Sequence, residues 1–168
     1  VVSQFLDYAR PHTSKIQPQN INAIILKAVS IISANRLADN IAITPELHND
    51  LPSAPVDEQQ ILQVILNICL NAIEAMPRGG ALTLRTSKIH TGVGDAVGIS
   101  IRDTGDGMSA DTLKNIFKPF YTTKERGVGL GLAICSRIIR EHGGVIRVKS
   151  LPGQGSVFFI RLNTGDKT

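Results

Sequence analysis

The sequence predicts an α+β sandwich, with helices packed on one face of a sheet. Three observations carry that reading. Apolar residues recur at helical spacing over residues 21–38, 57–76 and 127–142, and they alternate at strand spacing in two paired runs, 81–103 and 145–162. The helices and the antiparallel hairpins fall in separate stretches, the order expected of this class. The chain also has 168 residues, 42% of them hydrophobic, enough to close one core.

Residues 1–10 read as the tail of a helix, with Val2, Phe5, Leu6 and Ala9 on one face and Pro11 closing it. The polar stretch through Asn20 is a linker or a short edge strand. In the helix over 21–38, Ile24, Ile25, Ala28, Ile31 and Ile32 form the apolar pattern, and Asn20 or Asn22 can cap its start. Residues 40–47 alternate as a strand, and 52–55, bounded by prolines, read as a loop.

Asp57 can cap the second long helix, and Pro77 with Gly79-Gly80 ends it. Residues 81–90 and 96–103 form a hairpin around Gly92-Val93-Gly94, followed by a short helix over 109–115. The helix opening from Gly127 stops at His142-Gly143-Gly144. A last hairpin pairs 145–151 with 156–162 around Pro152-Gly153-Gln154-Gly155. No internal repeat is present.

Composition narrows the classes. Charged residues make up 19% and the net charge is +4, but the cations are interleaved with acids and aromatics are few, which argues against nucleic-acid binding. The excess suits an anionic nucleotide equally well. No apolar run approaches the roughly 18 residues of a membrane span, and the start lacks a signal-peptide pattern. The first residue is not methionine, so the chain reads as a fragment of a longer protein. Cys69 and Cys135 lie within apolar helical patterns and read as buried reduced thiols in a reducing compartment, without zinc-ligand spacing.

The chemistry sits in four places. Along the helix from Asp57, an apolar stripe of Ile61, Ile65, Ile68, Ala72 and Met76 is offset from a polar one of Gln60, Gln63, Asn67, Asn71 and Glu74. A polar stripe commonly just faces solvent. Two asparagines are poor mid-helix residues, however, and they share their face with an acid. A neutral oxygen together with substrate phosphates suits magnesium, which accepts few protein ligands, and Asn71 is the candidate. Asp103 ends a strand at Asp103-Thr104-Gly105-Asp106-Gly107. It is either a turn aspartate or a carboxylate that accepts from an exocyclic amine and so selects adenine over guanine.

Gly127-Val128-Gly129-Leu130-Gly131-Leu132 either ends a loop or lets backbone approach phosphate at a helix start. It follows no strand, as a dinucleotide fingerprint would, and lacks the Lys-Ser/Thr pair of a P-loop. The preceding loop holds Lys124 and Arg126, cations that can meet phosphates, and a long loop ending in glycine hinges reads as a mobile lid. The four places together read as an ATP site.

These residues resemble one family closely. Asn67-Ile-Cys-Leu-Asn71-Ala-Ile-Glu-Ala, Asp103-x-Gly-x-Gly107, Phe117-x-Pro-Phe120-x-Thr-Thr123-Lys124 and Gly127-x-Gly-x-Gly131-Leu are similar to the N, G1, F and G2 boxes of sensor histidine kinases. Those boxes mark the catalytic ATP-binding domain of two-component systems. Gly153-x-Gly155 before the closing strand fits the last glycine box, and the Thr-Thr-Lys form resembles the nitrogen-regulation type. The likeness spans about residues 20–163. It implies the Bergerat ATP fold, a mixed, mostly antiparallel sheet backed by helices, with 1–19 as dimerisation-helix tail and linker and 20–168 as the catalytic domain.

The resemblance further implies transfer of the γ-phosphoryl group of Mg-ATP to a histidine on a separate dimerisation domain, and a response regulator downstream. Asn71 would hold Mg2+, Asp103 the adenine amine, and Gly105 and Gly107 the adenine pocket. Gly127, Gly129 and Gly131 would shape the lid end and helix start. Asn67, Phe117, Phe120, Thr123, Lys124, Arg126, Val128, Leu130 and Leu132 complete the nucleotide-binding set, with Lys124 beside phosphate as a catalytic group together with Asn71. The expected location is cytoplasmic, the fragment monomeric and its parent a homodimer.

Two departures matter. None of His12, His48, His90 and His142 lies in the acidic helix followed by Asn-Pro that carries the family's acceptor. Glu74, three residues after Asn71, stands where many relatives carry a cation. Related ATPases and serine kinases of the same fold place a glutamate base four residues before the magnesium asparagine, because water and serine must lose a proton to attack. Here that position is Asn67, which cannot accept a proton, whereas a neutral imidazole already offers a lone pair. Glu74 remains as a possible base for the ATPase alternative, and a nucleotide-binding module without catalysis is a third reading.

Overall fold

The computed structural model describes residues 14–34, 38–92, 94–124 and 127–165. The N-terminal helix expected over 1–10, His12 and Arg126 lie outside those residues. The elements run β1 (Gln17–Gln19), α1 (Ile21–Ser33), β2 (Ile41–Glu46), β3 (Ala54–Val56), α2 (Glu58–Glu74), β4 (Gly80–Thr91), β5 (Gly94–Asp103), α3 (Ala110–Asn115), α4 (Gly131–Glu141), β6 (Val145–Ser150) and β7 (Ser156–Asn163).

Five strands form one sheet in the order β2-β4-β5-β7-β6. β2 runs parallel to β4, while the other neighbours are antiparallel. The sheet is therefore mixed and mostly antiparallel. Strand alternation decides its two faces. Leu82, Leu84, Val97, Ile99, Ile101, Phe158, Ile160 and Leu162 point inward and are buried with the apolar faces of α1, α2 and α4. Arg85, Arg102, Arg147, Lys149 and Arg161 are exposed on the strands. Cations scattered along the chain are thereby gathered outside the core.

The helices begin where their caps place them. Asn20 accepts from the Ala23 N–H at 3.3 Å. Asp57 accepts from Gln60 N–H at 3.0 Å and from Lys15 N–H at 2.8 Å, so the same carboxylate starts α2 and ties down the segment before β1. On α2 the inward stripe is Ile61, Val64, Ile65, Ile68, Cys69, Ala72 and Ile73, which turns Asn67 and Asn71 toward the side.

Two expectations are corrected. Residues 52–55 are not wholly loop: Ala54–Val56 is a strand that pairs antiparallel with β1. The prolines misled, yet Pro18 faces Pro55 across the pair. Two residues without N–H groups fit a non-hydrogen-bonded pair, leaving the flanking pairs to bond. Ala54 and Val56 are buried, at 0% and 1% exposure, which anchors the strand. The helix expected from Gly127 starts instead at Gly131, because Gly129, at φ 72°, breaks the helical path.

Candidate functional site

A cleft of about 860 Å³ lies between α2, the end of β5, and the segment from α3 to the start of α4. Its volume falls in the range of small-molecule sites. Of the residues singled out in the sequence, Asn67, Asn71, Asp103, Gly107, Thr123, Lys124, Gly127, Val128, Gly129, Leu130, Gly131 and Leu132 line it. Gly105, Phe117 and Phe120 do not. Phe117 packs against the core from a partly buried position. Phe120 is 61% exposed and is the one non-glycine residue with positive φ, 65°, among the described residues. Tyr121 occupies the wall where the F-box aromatics were expected.

Asp103 ends β5 at 3% exposure. Its Oδ1 accepts from Gly105 N–H at 2.9 Å and Ser156 N–H at 3.2 Å, while Oδ2 has no partner from another described residue. Burial pushes the carboxyl above its ordinary value, against the pull of those two N–H groups. One oxygen is thus held by the fold. The other is left for a donor entering the cleft.

The glycines after Asp103 are required by close approach. A Cβ on Gly105 would lie 2.5 Å from Ala75 O, and one on Gly107, at φ 67°, would lie 2.0 Å from Leu151 O. Asp106 N–H donates to Ala75 O at 3.1 Å and Gly153 N–H to Asp106 O at 2.7 Å. The segment is therefore stitched between the end of α2 and the β6–β7 turn. Gly131 differs: nothing lies within 4 Å of its Cβ position. It is small without being needed by the fold. Leu130 caps α4 with no side-chain bond, so the amides of that helix start remain available to an anion.

Across the cleft mouth, Lys124 Nζ donates to Asn71 Oδ1 at 2.9 Å and pairs with the Glu74 carboxylate. The loop presenting it is shaped by Thr122, whose Oγ1 accepts from Lys124 N–H at 3.0 Å. A Cβ on Gly127 would sit 2.5 Å from that same oxygen. Asn71 Oδ1 is therefore directed into the cleft and already receives a cation. Among the described residues no group of three or more His, Cys, Asp or Glu side chains could hold a metal ion. A donor set of one carboxamide oxygen fits a magnesium ion whose other ligands are phosphate and water.

Sequence reasoning missed the apolar wall of Met108, Ile116, Tyr121 and Phe158 and the contribution of Ser156. Alternation in β7 places Phe158 inward. Nothing in the local pattern marks Met108 or Ile116, which reach the cleft through tertiary packing. Cys69 and Cys135 are free and buried, and burial raises each thiol to about 12. Neither is among the residues that line the cleft.

Known proteins resemble this chain in sequence and fold. Residues 56–166 match the family model described as histidine kinase-, DNA gyrase B-, and HSP90-like ATPase. Sporulation kinase C of Bacillus subtilis (strain 168) is 41% identical over 163 residues, which is 96% of this chain and 37% of that protein. The chain thus spans little over a third of that relative. Full-length ShkA in complex with AMPPNP superposes with a TM-score of 0.85 at 29% identity, over 99% of this chain and 36% of ShkA. The nucleotide-free catalytic domain of histidine kinase ThkA gives 0.78 at 30% identity, over 89% of this chain and 96% of that domain. ThkA in complex with response regulator protein TrrA gives 0.80 at 28% identity, over 97% of this chain and 46% of that one.

Proposed function

Because the chain belongs to the histidine kinase-, DNA gyrase B- and HSP90-like ATPase family and has the Bergerat ATP-binding fold, we propose that it is the catalytic domain of a two-component sensor kinase. It binds Mg-ATP in the cleft and passes the γ-phosphoryl group to a histidine on a dimerisation domain. The observation that carries the nucleotide reading is Asp103: a buried carboxylate with one oxygen held by backbone N–H groups and one left for the adenine amine. ShkA was crystallised with AMPPNP, which supports an ATP ligand here.

The residues divide the work. Asp103 selects adenine, and Gly107 with the apolar wall forms the base pocket. Asn71 Oδ1 would hold Mg2+, which when bound neutralises charge between the phosphates. Lys124 and the amides opening α4 meet phosphate oxygens, and Gly127 and Gly129 let the lid segment turn. Catalysis rests on positioning and charge neutralisation, since phosphoryl transfer asks little covalent chemistry of the protein. Asn67 cannot remove a proton, which favours an acceptor that needs no base, an imidazole, over water or serine.

His48 and His142 are held in structural bonds: the His48 backbone meets Thr86 and Asn22, and the His142 ring meets Asp57 and Ile138. His90 pairs with Asp95. Since none of the four histidines, His12 included, lies in an acidic helix followed by Asn-Pro, the acceptor is read as lying on a domain of the parent protein, with the parent a homodimer and the present chain monomeric. The complex of ThkA with TrrA supports a response regulator as the next partner. No helix among the described residues is long and apolar enough to cross a membrane, in keeping with a cytoplasmic catalytic domain.

The test is transfer in trans. Radiolabelled Mg-ATP, this chain and the parent's dimerisation domain are expected to give acid-labile, base-stable label on that domain. Label as free phosphate without it would support an ATPase instead.

A further inference from the structure

The lid lysine and the α2 acid form a latch over the candidate magnesium ligand. Lys124 lies 53 positions from Asn71 and 50 from Glu74, yet its ammonium group reaches both. The contact is specific in its presentation. Lys124 is fixed at the backbone by Thr122 Oγ1 at 3.0 Å and closed by Gly127 N–H donating to Lys124 O at 3.2 Å. On α2, Asn71 and Glu74 are three residues apart, one turn along the same face. A cation thus already stands on Asn71 Oδ1.

We infer that Glu74 is a positioning residue that parks Lys124 on Asn71, so that Mg-ATP enters by exchanging one cation for another on the same oxygen. This rests on the nucleotide reading above. The exchange needs no net loss of charge pairing. When Mg2+ takes Asn71 Oδ1, the displaced ammonium group is carried by the lid to the phosphates, which replace Glu74 as its anion. The lid therefore closes only on a ligand that brings both a divalent cation and phosphate. Adenosine brings neither and leaves the latch in place. An acid at position 74 acts here as the counterpart of a lysine supplied by the loop, in place of a cation supplied by α2 itself.

Both partners are about half exposed, at 46% for Lys124 and 51% for Glu74, so the latch is weak enough to release. Exposed ion pairs command roughly two- to fivefold in an equilibrium. Glu74→Gln is expected to tighten Mg-ATP binding by about that factor. Unchanged or weaker binding would overturn the assignment, and so would loss of phosphotransfer with affinity intact, which would make Glu74 a base.

The direct readout is the Lys124 ammonium signal in 15N-detected NMR, identified by its absence in Lys124→Arg. In the free protein its chemical shift is expected to be displaced from that of a solvated lysine. The displacement is expected to collapse in Glu74→Gln, to persist with adenosine and to change with Mg-ATP. If adenosine shifts the Asp103 and Gly105 amides while the ammonium shift is that of a solvated lysine, or ignores Mg-ATP, the latch is wrong and the nucleotide site stands. If neither ligand shifts any amide, both readings fall together.

Discussion

The Asp57 backbone N–H donates to His142 Nε2 at 3.0 Å, joining the start of α2 to the end of α4. His142 Nδ1 bonds Ile138 O at 2.8 Å. A carbonyl can only accept, so the proton sits on Nδ1 and the Nε2 lone pair faces Asp57. The imidazole is a neutral pin between the two helices that border the cleft. His142→Ala is expected to lower stability by about 1–2 kcal/mol, the scale of the bonds removed, as read by urea denaturation. Mass spectrometry after incubation with Mg-ATP should find no phosphate on His142 in the unmodified sequence.

On the proposed reading Asp103 sets function against stability. Burial raises its carboxyl above the ordinary value. A raised carboxyl favours the fold only where it is protonated, below the ordinary value of about 3.9. That contribution is lost as pH rises through the folded-state value. At neutral pH the ionised group is a cost to folding. Asp103→Asn keeps an acceptor at Oδ1 but turns a donor toward the adenine amine. It is expected to be at least as stable at pH 7, with the advantage vanishing toward pH 4, and to bind ATP more weakly by about 1–3 kcal/mol. Denaturation at the two pH values and an ATP titration decide it; normal ATP affinity would remove the adenine assignment.

Two glycines of the cleft should respond oppositely to alanine. Gly107 has φ 67° and its Cβ would meet the Leu151 backbone oxygen at 2.0 Å, a contact no rotamer relieves. Gly107→Ala is expected to cost at least about 2 kcal/mol. Gly131→Ala meets open space and lies at a helix start. Its stability should stay within about 0.5 kcal/mol or rise, while phosphate contact, and hence ATP affinity, falls. Thermal unfolding with and without ATP separates the two.

Cys69 and Cys135 are expected to resist alkylation by iodoacetamide at pH 8 in the native protein. Burial lifts both thiols to about 12, leaving almost no thiolate. Labelling should appear only as urea unfolds the chain. Rapid labelling of either native thiol would contradict its burial.

Local patterns made the long helices, the two hairpins and the order of the boxes legible, because caps, glycines and apolar spacing are written in neighbouring residues. Asn20 and Asp57 cap the helices assigned to them. The β1–β3 pair was hidden because its two strands are three residues each and centre on Pro18 and Pro55. The parallel docking of β2 on β4 depends on a crossover rather than on any pattern within Ile41–Glu46. In the cleft, Asp103 and Asn71 announced themselves by residue type at an unusual place. The reach of Lys124 to α2 did not, since a loop conformation decides it. Nor did the basic outer face, built from Arg85, Arg102, Arg147, Lys149 and Arg161 by alternation on four strands.

On the proposed reading nucleotide, metal and lid converge at Asn71, so its loss should remove magnesium-dependent binding altogether. The most direct measurement is phosphorus NMR of Mg-ATP with this chain over several hours, alongside Asn71→Ala. Shifted or broadened ATP resonances with negligible free phosphate, restored to their free positions by Asn71→Ala, are the expected result. ATP resonances untouched by the chain would contradict a nucleotide site. Steady phosphate release abolished by Asn71→Ala would keep the site but replace the histidine kinase with a water-activating ATPase.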